Sequence, residues 1–323
     1  VESHFFPHDQ QKVIEKIGKN KLINALRNML KIRNFELRAE AAYLQGKVGG
    51  FLHSYMGQEA IQTSAVHVFG LNNWWATSYR CHALALLLGA TTDEMMAELY
   101  GRETGNTDRL LGGFGIVGGG IPVATGAAFA LKYQDIKDQV AICFFGDGAV
   151  AQGAFHESIN LASLWDLPGI YVIENNHWGM GTAIEKAICV KRLAADKAPC
   201  YNSKGYTLDG MDYFNCYAGF EAIYREVLTT GRPVLVEAVT ERFRGHSISD
   251  PGLYRSKEKL KETMARDPLI LLKEALLEAK IIDEETYKKM DKEMRDLVIA
   301  SMKYADESPW PDPSTLEEDV FAP

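Results

Sequence analysis

Three short apolar runs, separated by segments of helical character, constrain the fold of this chain more than any other feature. The runs are QVAICFF (139–145), GIYVIE (169–174) and PVLVEAV (233–239). Each is rich in β-branched or aromatic residues and does not alternate with polar ones, which is typical of parallel strands covered on both faces. The helical segments between them predict an α/β fold, a doubly wound and mostly parallel sheet.

Helical patterns flank this central region. Apolar residues recur at helical spacing from Asp9 to about Leu44, where Gly49-Gly50 ends the pattern. After Asp250-Pro251 three more helices are predicted, at 257–265, 268–279 and 283–305. We therefore predict a single domain over residues 1–323, made of a helical N-terminal region (1–70), an α/β core (71–250) and a helical C-terminal region (251–323).

The acidic balance of the chain argues against a nucleic-acid or anionic-membrane partner. Its formal net charge is −8, and such partners attract the opposite charge. No run of residues approaches the apolar length of a membrane helix, and the N-terminus has no signal-peptide pattern. The five cysteines are odd in number and form no CxxC pair, which favours a reducing compartment without structural zinc. We expect the cytoplasm of a bacterium, or the mitochondrial matrix or a plastid of a eukaryote.

The segment GFGIVG fits the dinucleotide-binding spacing G-x-G-x-x-G through Gly113, Gly115 and Gly118. A dinucleotide site needs a strand before the glycines and a lone acid at the end of the next strand. The preceding GRETGNTDRLL does not suggest a strand, and the next predicted strand ends in Gly-Asp-Gly. A nicotinamide-dependent oxidoreductase is therefore the weaker alternative. We expect these glycines, and the small residues after them, to let a helix pack closely on a neighbour.

Polar residues appear where two of the predicted strands end. Strand 139–145 leads into Gly146-Asp147-Gly148, and strand 169–174 leads into Asn175-Asn176. Ligands of parallel α/β sheets bind beyond the carboxyl ends of strands, so these residues should meet at one edge. A carboxylate, an amide oxygen and a backbone carbonyl suit magnesium when phosphate oxygens complete the shell. A helix from about Ala149 would point its N-terminus there. Either element alone suits a plain turn, but together they favour a magnesium diphosphate site.

This arrangement resembles the thiamine diphosphate motif, which opens with GDG and closes with NN after a similar interval. Further matching segments follow in order: FLHSYMGQEA (51–60), SYRCH (78–82), GGFGIVGGGIP (112–122), ENNHWGMGT (174–182) and RFRGHSISDPGLYR (242–255). Together they resemble the alpha subunits of thiamine diphosphate-dependent 2-oxo acid dehydrogenases, and among these the pyruvate enzymes are the most similar. The resemblance covers nearly the whole chain and implies a thiamine diphosphate-binding fold with helical N- and C-terminal extensions.

The resemblance also implies roles for individual residues. The magnesium ligands would be Asp147, Asn176 and the carbonyl oxygen of Trp178. The diphosphate would be held by Tyr79, Arg80, Gly148, Ala149 and His246. The aminopyrimidine would meet the backbone of Gly115 and Val117, and the entrance to the thiazolium would be lined by Phe51 and His53. The candidate catalytic residues are His53 and His246, as a neutral acid or base.

Charge supports part of this assignment, since Arg80, Arg244 and His246 suit a trianionic cofactor in an acidic protein. A single arginine or histidine is often structural, so Arg244 and His82 stay open between a site role and a structural one. The sequence also departs from the family. It has Gly119-Gly120-Ile121-Pro122 where GGQIP is usual, which removes a glutamine contact, and a Gly/Lys-rich loop is absent between Thr107 and Asp108.

The activity implied by the resemblance is decarboxylation of a 2-oxo acid, with pyruvate expected, and reductive transfer of the acyl group to a lipoyl group on a dihydrolipoyl acyltransferase. Thiamine catalysis also needs a carboxylate on a second α/β unit, and the strands predicted in this chain are enough for only one such unit. We therefore expect a beta subunit in an α2β2 heterotetramer. Glu59 fits a capping or buried structural acid better than that carboxylate. Open alternatives are a branched-chain 2-oxo acid or acetoin dehydrogenase alpha subunit and a non-catalytic oligomeric subunit.

Overall fold

A computed structural model of the protein describes residues 4–102 and 110–318. Thr107 and Asp108, between which the family loop is absent, lie outside the described residues. In the described ranges the strands are β1 (Trp74–Ser78), β2 (Leu110–Phe114), β3 (Ala141–Gly146), β4 (Gly169–Asn175), β5 (Trp178–Gly179), β6 (Thr182–Ala183), β7 (Lys204–Asp209) and β8 (Val234–Val239). The helices are α1 (Gln10–Ile17), α2 (Lys19–Leu44), α3 (Glu59–Phe69), α4 (His82–Leu88), α5 (Thr92–Leu99), α6 (Gly120–Tyr133), α7 (Gly153–Leu164), α8 (Tyr213–Thr230), α9 (Lys257–Met264), α10 (Pro268–Glu278) and α11 (Glu284–Glu307).

Six of these strands form one sheet in the order β2-β1-β3-β4-β8-β7. All five neighbouring pairs are parallel, while β5 and β6 form a separate antiparallel pair. Helices cover both faces of the sheet. Cys143 and Phe145 pack into the core formed with α6 and α7, whereas Ile142 and Phe144 pack into the core formed with α3 and α8. The predicted doubly wound α/β fold is confirmed, and the large sheet is parallel throughout.

The three predicted strands correspond to β3, β4 and β8, but the sequence reasoning missed β1, β2 and β7. The expectation that no strand precedes the GFGIVG glycines was wrong, because β2 includes Gly112 and Gly113. The dinucleotide interpretation still fails on topology. β2 lies at the edge of the sheet and pairs with β1, so the next strand in the chain, β3, is not its neighbour. A dinucleotide fold places those two strands side by side.

The N-terminal helical pattern is real but divided. Gly18 separates α1 from α2 with φ +78°, a left-handed conformation that glycine adopts readily. The sequence Thr91-Thr92-Asp93-Glu94 predicts a helix N-terminus, and α5 begins there with a capping box. Thr91 Oγ1 accepts from the Glu94 backbone N–H, and the Glu94 carboxylate accepts from the Thr91 backbone N–H. In the described part of the chain, no helix combines the length and the apolar character needed to cross a bilayer.

Candidate active site

The carboxyl ends of β3 and β4 bring the two polar motifs together. These strands pair in register, with Gly146 opposite Glu174, so Asp147 and the asparagine pair emerge side by side. Residues 147–151 form a short 3-10 turn, and the α-helix that follows begins at Gly153 rather than near Ala149. The N-terminus of α7 therefore stands four residues further from the strand end than the sequence suggested.

Asp147 and Asn176 each carry a buried oxygen without a hydrogen-bond partner among the described residues. Both side chains are almost fully buried, and the orphan atoms are Asp147 Oδ2 and Asn176 Oδ1. Burial raises the pKa of Asp147 to about 6, against the lowering effect of nearby Arg242 and His177. Unpaired buried acceptors cost free energy unless a cation or donor meets them. The two oxygens therefore fit a hard cation such as Mg²⁺.

The neighbouring Asn175 is used differently. Its Nδ2 donates to Glu237 Oε1 at 2.7 Å, and its Oδ1 accepts from the backbone N–H of His177 at 3.0 Å. Asn176 instead donates through Nδ2 to Gln58 Oε1 at 3.3 Å and leaves its carbonyl oxygen free. Asn175 thus holds the loop that follows β4, and Asn176 faces the site.

The backbone after β4 returns to the GDG turn. Trp178 and Gly179 form β5, and a Cβ added to Gly148 would lie 3.4 Å from Gly179 Cα. The Trp178 ring packs on Tyr254, with 4.8 Å between the ring centroids. This close approach places the backbone of Trp178 in the neighbourhood of Asp147, as a third oxygen ligand would require.

Four aromatic residues from three segments of the chain lie close together near this edge. The His53 ring centroid lies 4.4 Å from that of Tyr79, 5.0 Å from that of His246 and 6.4 Å from that of Phe51. Burial lowers the pKa of His53 to about 3, and the positive charge of Arg80 makes the second-largest contribution to this shift. Burial and the same arginine lower the pKa of His246 to about 4. Both imidazoles are therefore neutral near pH 7.

Two buried arginines adjoin these histidines. Arg80 donates to the carbonyl oxygens of Ser54 and His246, both at 2.7 Å, and burial lowers its pKa to about 10. Arg242 Nη1 donates to His246 Nδ1 at 3.2 Å, Nη2 donates to Tyr254 Oη at 2.9 Å, and Nε has no partner among the described residues. Neither guanidinium forms an ion pair among the described residues, so the pocket carries buried positive charge that suits a polyanion.

The comparisons with known proteins agree with this geometry. A sequence model of the dehydrogenase E1 component family matches residues 27–314. The chain belongs to that family. It is similar to the protein named pyruvate dehydrogenase E1 component subunit alpha of Rickettsia felis, at 36% identity over 316 residues, covering 94% of this chain and 96% of the relative. Rhizobium meliloti has a protein of the same name at 36% identity, covering 95% and 92%. The chloroplastic subunit alpha-3 of Arabidopsis thaliana is 37% identical, covering 95% and 76%.

Members of the dehydrogenase E1 component family are thiamine diphosphate-dependent 2-oxo acid dehydrogenases, so the family expected from the sequence motifs is confirmed. In this dehydrogenase E1 chain, five predicted residues from three distant segments cluster around His53: Phe51, His53, Tyr79, Arg80 and His246. Asp147 and Asn176 follow the neighbouring strands β3 and β4. Arg242 links the two groups, because it bonds His246 and its charge acts on Asp147. Gly148 and Ala149 belong to the turn after Asp147.

Two residues that the sequence left open pair with glutamates of α2 in this dehydrogenase E1 chain. Arg244 Nε donates to both carboxylate oxygens of Glu40, at 2.8 and 3.0 Å, so its charge already has a partner. Arg242 is the arginine of this segment that faces the site, and the sequence reasoning missed it. His82 is buried, and its Nδ1 lies 3.0 Å from Glu36 Oε1.

Glu59 is a buried structural acid, as expected. Its carboxylate accepts from Arg33 Nε at 2.6 Å and from the backbone N–H of Gly57 at 3.0 Å. Arg33 also donates to both carboxylate oxygens of Asp267. This network joins α2, α3 and α10 below the segment that carries His53.

The rim of the pocket is apolar and exposed. Gly115 has open space where a Cβ would stand. Exposed large apolar side chains occur at or within two residues of site residues at Phe51, Ile116, Val117 and Met180, and Leu253 is exposed beside Tyr254. Leu253 is 87% exposed and Ile116 is 80% exposed. A set of apolar side chains around a polar pocket marks a surface that another molecule covers.

Proposed function

We propose that this chain is the alpha subunit of a thiamine diphosphate- and magnesium-dependent pyruvate dehydrogenase that decarboxylates pyruvate and reductively acetylates a lipoyl group. The observation that carries the proposal is the pair of orphan buried oxygens on Asp147 and Asn176, beside two neutral histidines and two buried arginines. The two oxygens would hold a divalent cation, and the arginines would pair with the diphosphate that accompanies it.

The residues of this chain divide into a holding set and a proton-handling set. Asp147, Asn176 and the Trp178 carbonyl would hold Mg²⁺, and Tyr79, Arg80, Arg242, Gly148 and Ala149 would surround the diphosphate. Gly115 and Val117 would meet the aminopyrimidine. When bound, thiamine diphosphate supplies the electron-accepting ring needed to break the bond between the carboxyl and carbonyl carbons of a 2-oxo acid.

His246 is held in one tautomer. A guanidinium can only donate, so Nδ1 of His246 accepts from Arg242 and the imidazole proton lies on Nε2. His53 faces it across 5.0 Å between ring centroids. A neutral imidazole that presents an N–H can donate to a developing oxyanion, and a neutral partner can take up a proton. We assign these two roles to His246 and His53.

A beta subunit is the partner that the apolar rim fits. Thiamine chemistry needs a carboxylate on the aminopyrimidine, and the buried acid in the GQEA segment, Glu59, is committed to Arg33. A second α/β unit that covers Phe51, Ile116 and Leu253 could supply it. We propose an α2β2 heterotetramer that delivers its acyl group to a lipoyl-bearing dihydrolipoyl acyltransferase. The relatives with this name include bacterial and chloroplastic forms, which is compatible with the cytoplasm or a plastid.

Pyruvate is proposed as the substrate because the similar proteins are named pyruvate dehydrogenase subunits. The sequence motifs also resemble those of the pyruvate enzymes more than those of the branched-chain enzymes. A branched-chain or acetoin enzyme would share the holding residues. The test is turnover by this chain co-purified with its beta chain, with thiamine diphosphate and Mg²⁺, measured by dye reduction. We expect pyruvate to give a higher kcat/KM than 3-methyl-2-oxobutanoate, and the isolated alpha chain to give no turnover. A reversed ratio would reassign the substrate, and full activity of the isolated chain would exclude the two-chain site.

A further inference from the structure

Glu174 is a buried acid at the end of β4, two residues before Asn176. Its Oε1 accepts a hydrogen bond from the hydroxyl of Tyr55 and a second one from Gln62 Nε2 at 3.1 Å. All three side chains are essentially inaccessible to solvent. Among the described residues, neither hydrogen bond involves a proposed cofactor ligand. The Glu174 carboxylate also acts by its charge on Arg80, but its hydrogen bonds act on the site through the backbone that they hold.

Tyr55 lies in the segment 52–58, which has no helix or strand of its own. This segment carries His53 and, at its end, Gln58, whose Oε1 accepts from Asn176. Other bonds tie the segment to parts of the chain that are also irregular. Leu52 accepts from the backbone N–H of Ile248, and Met56 accepts from that of Phe243.

The bond from Tyr55 to Glu174 is different because it ties the segment into the central sheet. Glu174 stands in register with Gly146, the residue before Asp147. The carboxylate therefore connects the strand pair that carries both proposed metal ligands with the segment that carries His53. A buried acceptor with two buried donors has one favourable arrangement, since leaving a donor unpaired there costs free energy.

We propose that Glu174 is a positioning residue that, through its hydrogen bonds from Tyr55 and Gln62, fixes the 52–58 segment and hence His53 relative to the Asp147–Asn176 metal edge. This inference rests on the proposed function for its catalytic consequence. The alternative is a purely structural buried acid, which would affect stability without changing the turnover of the folded enzyme.

The test uses the assembled enzyme and variants that change one hydrogen bond. Tyr55→Phe removes the donor with little change in volume, and Glu174→Leu removes the acceptor. We expect both to lower kcat about 10- to 100-fold, as for other outer-shell partners, with KM for pyruvate little changed. Both should also increase hydrogen exchange in residues 52–58 of the cofactor-free enzyme. Glu174→Gln should stay within about threefold of the parent kcat, because its amide oxygen still accepts from Tyr55 and Gln62.

The matched control is Tyr171→Phe. Tyr171 is on the same strand and equally buried, and its hydroxyl bonds Thr125 on α6 at 2.8 Å, away from the site. This variant should lose stability without losing kcat. The proposal is overturned if Tyr55→Phe keeps the parent kcat and exchange pattern, if Glu174→Gln loses as much as Glu174→Leu, or if Tyr171→Phe loses as much kcat as Tyr55→Phe. If the parent enzyme turns over no 2-oxo acid, the proposed function fails, and the exchange experiment still decides whether Glu174 holds the segment.

Discussion

Asp147 Oδ2 and Asn176 Oδ1 are both buried and both without a hydrogen-bond partner in the described part of the chain. Asp147 and Asn176 directly follow the neighbouring strands β3 and β4, which lie in register up to Gly146 and Glu174. Two unpaired acceptors at the same sheet edge are unfavourable in the free chain. In the proposed site a bound cation would pair with both oxygens, so these residues would lower the stability of the free chain and favour binding.

Asp147→Asn should separate the effect of the carboxylate on cofactor binding from its effect on the stability of the free chain. The variant keeps the shape of the side chain but removes the charged ligand, so we expect Mg²⁺-dependent thiamine diphosphate binding to fall by about 100-fold or more, roughly 3 kcal/mol. The thermal midpoint of the cofactor-free protein should not fall, because burial opposes the charge that is removed and raises the pKa of Asp147. Calorimetry of binding and of unfolding measures both quantities. Parent-like affinity in the variant would refute the metal assignment.

The adjacent asparagines should respond to alanine in opposite ways. Asn175→Ala removes the bond to Glu237 and the support of the His177 backbone, so it should destabilise the cofactor-free protein by roughly 1–3 kcal/mol. Asn176→Ala removes an orphan acceptor and one 3.3 Å bond to Gln58, so it should mainly weaken cofactor binding. Thermal midpoints with and without Mg²⁺ and thiamine diphosphate compare the two variants. Equal losses of binding and stability in both would contradict the division of roles.

The strand ends were predictable from the sequence because buried parallel strands are apolar throughout, and polar residues after them stand out. The same rule failed for β2 and β7. Gly112 and Gly113 weaken the strand signal of β2, and β7 alternates polar and apolar residues at the other edge of the sheet. Edge strands need not be apolar on both faces, so their composition resembles that of loops.

The choice between Arg242 and Arg244 could not be read from the sequence. They lie two residues apart in a segment without helical or strand periodicity, and nothing local says which one faces the pocket. The choice depends on Glu40, which lies about two hundred positions earlier in the chain and pairs with Arg244. The two asparagines pose the same problem, because only the register with β8 assigns Asn175 to Glu237.

The two arginines therefore make a matched pair. Arg242→Met removes a buried cation whose Nε is free, and it also frees His246 Nδ1. We expect thiamine diphosphate affinity to fall by about 100-fold, because a buried charge-assisted contact contributes roughly 2–5 kcal/mol. Arg244→Met breaks the ion pair with Glu40, which is partly exposed, and should change affinity by less than about threefold. Binding titrations at one Mg²⁺ concentration check this. A greater loss of thiamine diphosphate affinity in Arg244→Met than in Arg242→Met would instead support the sequence-based interpretation that Arg244 faces the cofactor.

His82 and Glu36 predict a pH dependence of stability. Burial lowers the pKa of His82, but the charge and hydrogen bond of Glu36 raise it by more, so the net shift is upward from 6.5. A raised pKa in the folded state stabilises the protein fully below the unfolded pKa of about 6.5, and this contribution is lost as pH rises through the folded pKa. Each pKa unit corresponds to about 1.4 kcal/mol. His82→Gln should therefore cost more stability at about pH 6 than at about pH 9.

The control for His82 is a partly buried histidine, His67, whose pKa shifts in the opposite direction. His67 bonds Tyr213 Oη at 2.9 Å, and burial, with a smaller effect of Lys21, lowers its pKa to about 4. Its neutral form is favoured in the folded state, so its contribution is present above about pH 6.5 and is lost as pH falls toward about 4. His67→Gln should thus cost more at high pH than at low pH. Thermal midpoints of the parent and both variants are measured across this pH range. The stability lost by His82→Gln should fall with rising pH, and the stability lost by His67→Gln should rise. If both losses change with pH in the same direction, Glu36 does not set the charge of His82.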